Sequence, residues 1–287
     1  MADVTTKTEQ YHTHISSEHK LLDLNLKEVW KYRDLIILFT KRNFSVRYKQ
    51  TILGPAWLFL NPFLTSIMHS IVFGGIAGIS TNGVPQLLFH LTGSAIWGFY
   101  SACLVNNAST FTANARVFGK VYFPRLTTPI SNVLSNAIQF GIQMIMVFIF
   151  LIYYFFNGAV TPNWAWFFLI PVILIELGIM GMGVGIIISS MTTKYRDLSV
   201  LVGFGMSLWM YGTPVVYPLS TIAPGTIRSL VMLNPVTAPI ELFRYIVLGQ
   251  GVIMKEYLIY SGIFTIVVAL VGIIVFNKVE RTFMDTV

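Results

Sequence analysis

The sequence predicts an all-α polytopic membrane protein with six transmembrane helices and both termini on the cytoplasmic side. Three observations lead there. Charged residues make up 11% of the 287 residues and apolar residues 55%, where a typical soluble domain carries about 25% charged residues. Six apolar segments can be marked, at 56–78, 86–111, 126–156, 164–190, 198–217 and 257–277. Each meets or exceeds the roughly 20 residues that cross a hydrocarbon core about 30 Å thick. With both termini inside, 16 of the 19 Lys and Arg residues fall on the cytoplasmic side, and only Arg228, Arg244 and Lys255 on the other. Basic residues near span ends resist translocation, so this split sets the orientation.

Helices follow because backbone groups cannot go unpaired in lipid, and the shorter alternating segments of a β-barrel are absent from the sequence. The net charge of +7 would suggest nucleic acid in a soluble protein. Its sidedness points instead to an anionic inner leaflet, at about 1 kcal/mol per juxtamembrane Lys or Arg. No nucleic-acid partner is expected. The first twenty residues are polar, with neither the apolar core nor the cleavage site of a signal peptide. The single cysteine, Cys103, lies inside a span with no Cys or His cluster around it, so it reads as a small packing residue rather than a metal ligand.

Residues 1–20 form a polar tail, and 21–287 form one membrane domain without internal repeats. Between 26 and 50 the chain interleaves aromatic and basic residues. At 100° per residue Trp30, Ile37, Phe44 and Tyr48 share one side, and Lys31, Arg42 and Lys49 another, although Lys41 intrudes and Phe39 lies apart. This is the pattern of an interfacial helix, with too many charges to span; an ordinary solvated helix is the plainer alternative. Trp30, Arg42, Arg47 and Tyr48 are its candidate contact residues. Gly54-Pro55 then breaks the chain and opens span one, since proline suits a helix start. After span five, residues 218–250 carry four prolines and a moderately apolar stretch, 240–248, interrupted by Glu241 and Arg244. It is too short to cross and reads as one or two re-entrant or interfacial helices on the outer side.

No motif of catalysis or nucleotide binding is present. Gly119-Lys120 is followed by Val121, and position 114 is Asn, so no phosphate-binding loop exists there. HExxH, GxSxG and paired-cysteine patterns are also missing from the sequence. Glu176 is the one acidic residue inside a span, too few for a relay of carboxylates. It either lines a hydrophilic path or holds a helix pair across a subunit interface, or it is simply a structural hydrogen-bond partner. His69 and His90 read as interior or interfacial polar residues rather than ligands. Gly74 with Gly78, and Gly181 with Gly185, have the spacing of close helix contacts. The aromatics Trp97, Tyr100, Trp209, Tyr211 and Tyr217 are either interfacial belts or surfaces on which sugar rings could stack. Residues 114–125, NARVFGKVYFPR, make a basic, aromatic cytoplasmic piece ended by Pro124: a docking element, or a solvated loop with anchors.

Several stretches together resemble the membrane subunit of type-2 ABC exporters, in the branch that exports O-antigen, capsule and teichoic-acid polymers. They are VRYKQTILGPAWLFLNP at 46–62, KVYFPR at 120–125, KYRDL at 194–198, SLWMYGTPVVYP at 207–218, LNP at 233–235 and ELFRYIVLG at 241–249. Each is weak alone; six in family order, covering the chain from about Leu21 to its end, are specific. One departure is Gly212-Thr213 before Pro214, where many relatives look more like Ser-Pro.

The resemblance implies a homodimer of six-helix subunits in the bacterial inner membrane, each subunit binding a separate ATPase subunit. This chain would hold no cofactor, with ATP and Mg on the partner, and would be no enzyme itself. The segment 26–50 resembles the family's interface helix, 114–125 takes the place of the coupling helix, and 218–250 looks like the short outer gate helices. Asn114, Arg116, Lys120, Tyr122, Phe123 and Arg125 are then the candidate ATPase-coupling residues. Trp97, Tyr100, Glu176, Trp209, Tyr211, Pro214, Tyr217 and Arg244 are candidates for channel and gate. The implied activity is export of a polysaccharide on an undecaprenyl-type lipid, O-antigen being the leading cargo. Teichoic acid, capsule, or a small lipid or drug are the alternatives within the fold. An ion-coupled transporter is disfavoured by the lack of broken mid-membrane helices in paired halves. A membrane glycosyltransferase would need carboxylate or metal clusters that the sequence does not show.

Overall fold

The computed structural model describes residues 26–49, 51–121, 123–192, 195 and 197–283. The polar tail, Tyr122, and Lys194 and Arg196 of the KYRDL stretch lie outside the described residues. Among the described residues the regular structure is entirely helical. The N-terminal segment breaks at Tyr32 into α1 (Leu26–Lys31) and α2 (Arg33–Tyr48). Pro55 sits in a short 3-10 turn that leads into α3 (Trp57–His69), and α3 loosens into a π-helical stretch over Ser70–Ile76. Next come α4 (Gln86–Ala108), α5 (Thr110–Phe118), α6 (Thr127–Phe156), α7 (Ile170–Thr192) and α8 (Leu198–Tyr211). Two short helices, α9 (Thr226–Leu233) and α10 (Thr237–Leu248), precede the last helix, α11 (Lys255–Phe283).

Five stretches are long and apolar enough to cross a bilayer: Gly54–Ile76, Gln86–Ala108, Thr127–Phe156, Trp164–Thr192 and Lys255–Val279. The expected fifth span, 198–217, differs. Only its first 14 residues are helical, about 21 Å at 1.5 Å per residue, short of a core about 30 Å thick. Pro214 accounts for the stop. It lacks an amide donor and disfavours helical geometry in the residue before it, and the Thr213 hydroxyl closes on the Trp209 carbonyl at 2.8 Å. Two short helices occupy most of the 218–250 segment. α9 and α10 meet at 87° across Pro235, and the Asn234 side chain holds the corner by accepting from the Val236 amide at 3.2 Å and donating to Thr213 Oγ1 at 2.7 Å.

α4 is the central post. Buried residues make up 72% of its most apolar stretch, against 11% for Gly54–Ile76 and 17% for Lys255–Val279. Close packing around it depends on glycine. A Cβ at Gly185 would lie 2.6 Å from the Leu104 carbonyl oxygen, and one at Gly181 3.0 Å from that of Tyr100, so α7 rests directly on the α4 backbone. Gly183 and Gly272 play the same part between α7 and α11, with Gly183 3.1 Å from the Val268 oxygen by the same measure. The other expected pair does not rest on a neighbouring backbone in this way. The atoms nearest a Cβ at Gly74 are those of the Gln86 side chain at the start of α4, and Gly78 has nothing within 4 Å. Gly78 adopts φ +64°, the left-handed turn geometry that glycine allows.

The bundle has two ends. One gathers α2, α5, the start of α6 and the C-terminal parts of α7 and α11. The other gathers the 77–85 and 157–163 loops, the C-terminal side of α8, and α9 and α10. There Asn163 reaches α10 through its amide to the Ile246 carbonyl at 3.0 Å and its side chain to that of Tyr245 at 2.8 Å.

Candidate functional site

The α5 end carries the residues expected to couple to a partner, and the structure separates them into two kinds. Arg116 and Lys120 are exposed, as is Val121, and Asn114 is half-buried. Phe123 and Arg125 are buried. The expected helix over 114–125 is helical only to Phe118, because Gly119 follows and Pro124 excludes helix from its predecessor. Phe123 packs edge-on against Phe39 of α2 at 5.6 Å and against Phe118 of α5 at 5.7 Å. The Arg125 guanidinium stands 5.5 Å over the Phe118 ring. Phe111 stacks on Phe276 of α11 at 4.8 Å. The exposed basic groups therefore stand on an aromatic base that touches α2, α5 and α11 at once.

α1 and α2 together have two apolar faces. Val29 of α1 and Ile36, Phe39 and Thr40 of α2 are buried against the bundle, whereas Trp30 of α1 and Ile37 of α2 are exposed. The apparent misfit of Phe39 in the sequence pattern is resolved by this: it belongs to the bundle-facing side. Arg42 sits 4.6 Å over Phe39 and donates to Asn114 Oδ1 at 3.5 Å. The backbone of Tyr48 ends α2, and its side chain lies outside the description.

A ladder of side-chain amides fastens α2 to the core, and the sequence reading did not single it out. Asn43 donates to Asn132 of α6 at 2.9 Å, and Asn132 donates to Asn107 of α4 at 3.2 Å. One turn along, Arg47 donates to Gln139 at 3.0 Å and to Asn136 at 3.4 Å, and Asn136 accepts from Asn106 at 2.9 Å. The signal was present: Asn132, Asn136 and Gln139 recur at i, i+4 and i+7 in an otherwise apolar span, and polar side chains in lipid seek partners on other helices.

At the opposite end Arg244 organises the loop after α8. It is 1% exposed and donates to the carbonyls of Pro214 and Val215, and to Glu241 Oε1 at 3.2 Å. Its guanidinium stands 4.1 Å over Phe89 of α4. Glu241 accepts from the Val252 amide at 3.2 Å. Gly249 ends α10 at φ +71°, where any Cβ would run into the Thr161 carbonyl, the left-handed cap that glycine supplies.

The remaining candidates fall in distinct places. Trp97, Tyr100 and Trp209 form one cluster between α4 and α8, with Tyr100 5.8 Å and Trp97 6.5 Å from Trp209. Trp97 and Tyr100 are buried within the chain and Trp209 is half-buried. Tyr211 is exposed and receives the half-buried Tyr217 hydroxyl on its carbonyl at 3.1 Å. Pro214 is buried. Glu176 on α7 accepts from Ser261 of α11. His69 and His90 lie side by side, ring centres 5.7 Å apart. No group of three or more metal-ligating side chains occurs among the described residues.

A family model described as ABC-2 type transporter matches residues 34–248. The chain is similar to two O-antigen export system permease proteins RfbA of Klebsiella pneumoniae, 29% and 30% identical over 253 residues. These alignments cover 88% of this chain and 94% of each relative. A third relative of the same name, from Myxococcus xanthus, is 29% identical over 214 residues, 74% of this chain and 80% of its own length.

Proposed function

The chain belongs to the ABC-2 type transporter family, and from that premise we propose that it is the permease subunit of an ATP-driven polysaccharide exporter. Its cargo is an O-antigen-like polymer on an undecaprenyl-type lipid, moved across the bacterial inner membrane. Two copies pair around a channel. Each docks one copy of a separate ATPase subunit, which binds ATP and Mg, and both termini face the cytoplasm. The names of the relatives support the cargo, and the excess of basic residues at the α5 end supports the orientation.

One observation carries the mechanism. The exposed Arg116 and Lys120 sit over a base in which Phe39, Phe118 and Phe123 interlock, and the amide ladder joins the same α2 to α4 and α6. Close-packed interiors transmit displacement rather than absorb it. A push on α5 by an ATPase partner therefore reaches the central helix through contacts already made.

The test is affinity purification of the tagged chain from its own host. The ATPase is expected to accompany the wild type, and Arg116→Glu with Lys120→Glu is expected to release it and leave polymer accumulating in the cytoplasm. Unchanged co-purification and unchanged export in that variant would overturn the docking assignment.

A further inference from the structure

Beneath the 77–85 loop a cavity of about 170 Å³ opens at the α10 end, lined by Thr81, Asn82, Ser220, Glu241, Arg244 and Gln250 among others. We propose that it is a binding site for a single neutral, hydroxyl-rich ring, one sugar unit of the cargo. The assignment of that ring to cargo rests on the export reading above.

Size comes first. A water needs roughly 10–15 Å³ measured in this way, so the space is an order of magnitude too large for one. It is also smaller than the about 300–1,000 Å³ of sites that enclose drug-sized ligands. A single ring is the occupant of that scale.

Charge selects the class. Arg244 and Glu241 are 1% and 2% exposed and neutralise each other at 3.2 Å within the wall. An anion entering the cavity meets the Glu241 carboxylate, and a cation meets the Arg244 guanidinium. Neither gains what a lone opposite charge would give it, and a neutral ligand is repelled by neither.

Hydrogen-bonding capacity then matches hydroxyls. Arg244 Nε is buried behind the wall with no hydrogen-bond partner among the described residues, and the guanidinium is held by Glu241 and backbone carbonyls. Each Glu241 oxygen accepts one bond, from Arg244 and from the Val252 amide, and an ionised carboxylate can accept more. The wall thus offers a carboxylate with unused acceptor capacity beside the rim amides and hydroxyls of Asn82, Gln250, Thr81 and Ser220, and neighbouring sugar hydroxyls both donate and accept. At the mouth, Asn82 donates to Ser220 at 2.7 Å, and Gln250 is exposed; both carry side-chain amides. Because Arg244 also holds the Pro214 and Val215 carbonyls, an occupant would lie beside the group that fixes the loop after α8.

The experiment is saturation-transfer NMR on the purified full chain in lipid nanodiscs. The probes are the methyl glycosides of glucose, galactose, mannose, rhamnose and N-acetylglucosamine, with glucuronic acid as the anionic control. Transfer to at least one neutral glycoside and none to glucuronate is expected. Asn82→Gly with Gln250→Leu, both at exposed positions, should weaken that transfer about tenfold, the loss of one or two net hydrogen bonds. Glu241→Gln, which leaves Arg244 uncompensated, should admit glucuronate. Silence from every neutral glycoside, or undiminished transfer in the rim variant, overturns the proposal. Export is tested separately in cells lacking the chain. Cytoplasmic polymer there, together with a silent spectrum, overturns the cavity assignment alone; absence of that polymer overturns the export reading, and with it the identity of the ring as cargo.

Discussion

Ser261 on α11 donates a hydrogen bond of 2.5 Å to Oε1 of Glu176 on α7. This contact bridges two helices that already approach through Gly183 and Gly272. It places Glu176 as a helix-to-helix tie. Interhelical hydrogen bonds in membranes contribute about 0.6–2 kcal/mol, so Ser261→Ala should lower stability by about that amount, read as an earlier midpoint in SDS denaturation. Glu176→Gln keeps an acceptor for the Ser261 hydroxyl and should preserve both stability and export. A stable Glu176→Gln protein that no longer exports would show that the carboxyl acts through its ionisation instead.

The glycines of α7 should not respond alike to a methyl group. At Gly185 the added carbon meets the Leu104 carbonyl oxygen at 2.6 Å and Asn107 Cβ at 2.7 Å; at Gly178 it meets the ends of Val133 and Phe99 at 3.0 and 3.4 Å. Backbone cannot yield where side-chain tips can. Gly185→Ala should therefore cost about 1–3 kcal/mol, the usual range for overpacking, while Gly178→Ala stays well below it. Thermal midpoints from size-exclusion fluorescence would rank the two; equal midpoints would remove the packing argument.

Much of this was legible in the sequence because lipid imposes long apolar runs, and charge marks their ends. Hydropathy alone located α3, α4, α6, α7 and α11. It failed at α8, where 198–217 is apolar throughout but Pro214 ends the helix after Tyr211, a local steric effect outweighing composition. Spacing alone could not separate Gly181 and Gly185, which meet a neighbouring backbone, from Gly74 and Gly78, which do not. Nor could it place Trp97 and Tyr100 in one buried cluster with Trp209, or reveal that Arg244 and Glu241 share a cavity wall. Those facts depend on which helices become neighbours, and a single chain's periodicity does not encode that.

The buried ion pair of α10 has an asymmetric energetic signature. Removing one member of such a pair costs about 3–5 kcal/mol because the other is left buried and uncompensated, whereas replacing both with apolar groups is often far milder. Arg244→Leu should accordingly reduce the amount of folded protein severely, and Glu241→Leu with Arg244→Leu should recover part of it. Arg244→Lys should not rescue, since a compact ammonium cannot span the Pro214 and Val215 carbonyls and Glu241 as the guanidinium fork does. Folded yield from nanodisc reconstitution measures all three. Single and double variants of equal yield would mean the two charges act independently.

The amide ladder makes a kinetic prediction about α2. Asn132 both accepts from Asn43 and donates to Asn107, so Asn132→Leu removes two rungs and leaves two amides short of a partner. α2 would then depend on Ile36 and Phe39, apolar contacts that lack direction and permit sliding, and on the longer-armed bonds of Arg42 and Arg47. Local opening free energies set amide exchange rates, and the loss of about 1.4 kcal/mol from α2 corresponds to about tenfold faster exchange. Hydrogen-exchange mass spectrometry should show that acceleration across Arg33–Tyr48, with α4 and α7 unchanged. Phe123→Ala should loosen the same helix from its other anchor, the edge contact with Phe39. The two substitutions together should uncouple ATP hydrolysis from export while the ATPase stays bound, because Arg116 and Lys120 remain in place. If exchange in α2 is indifferent to both changes, the helix is held by something other than these two contacts, and the route from α5 to α4 must run elsewhere.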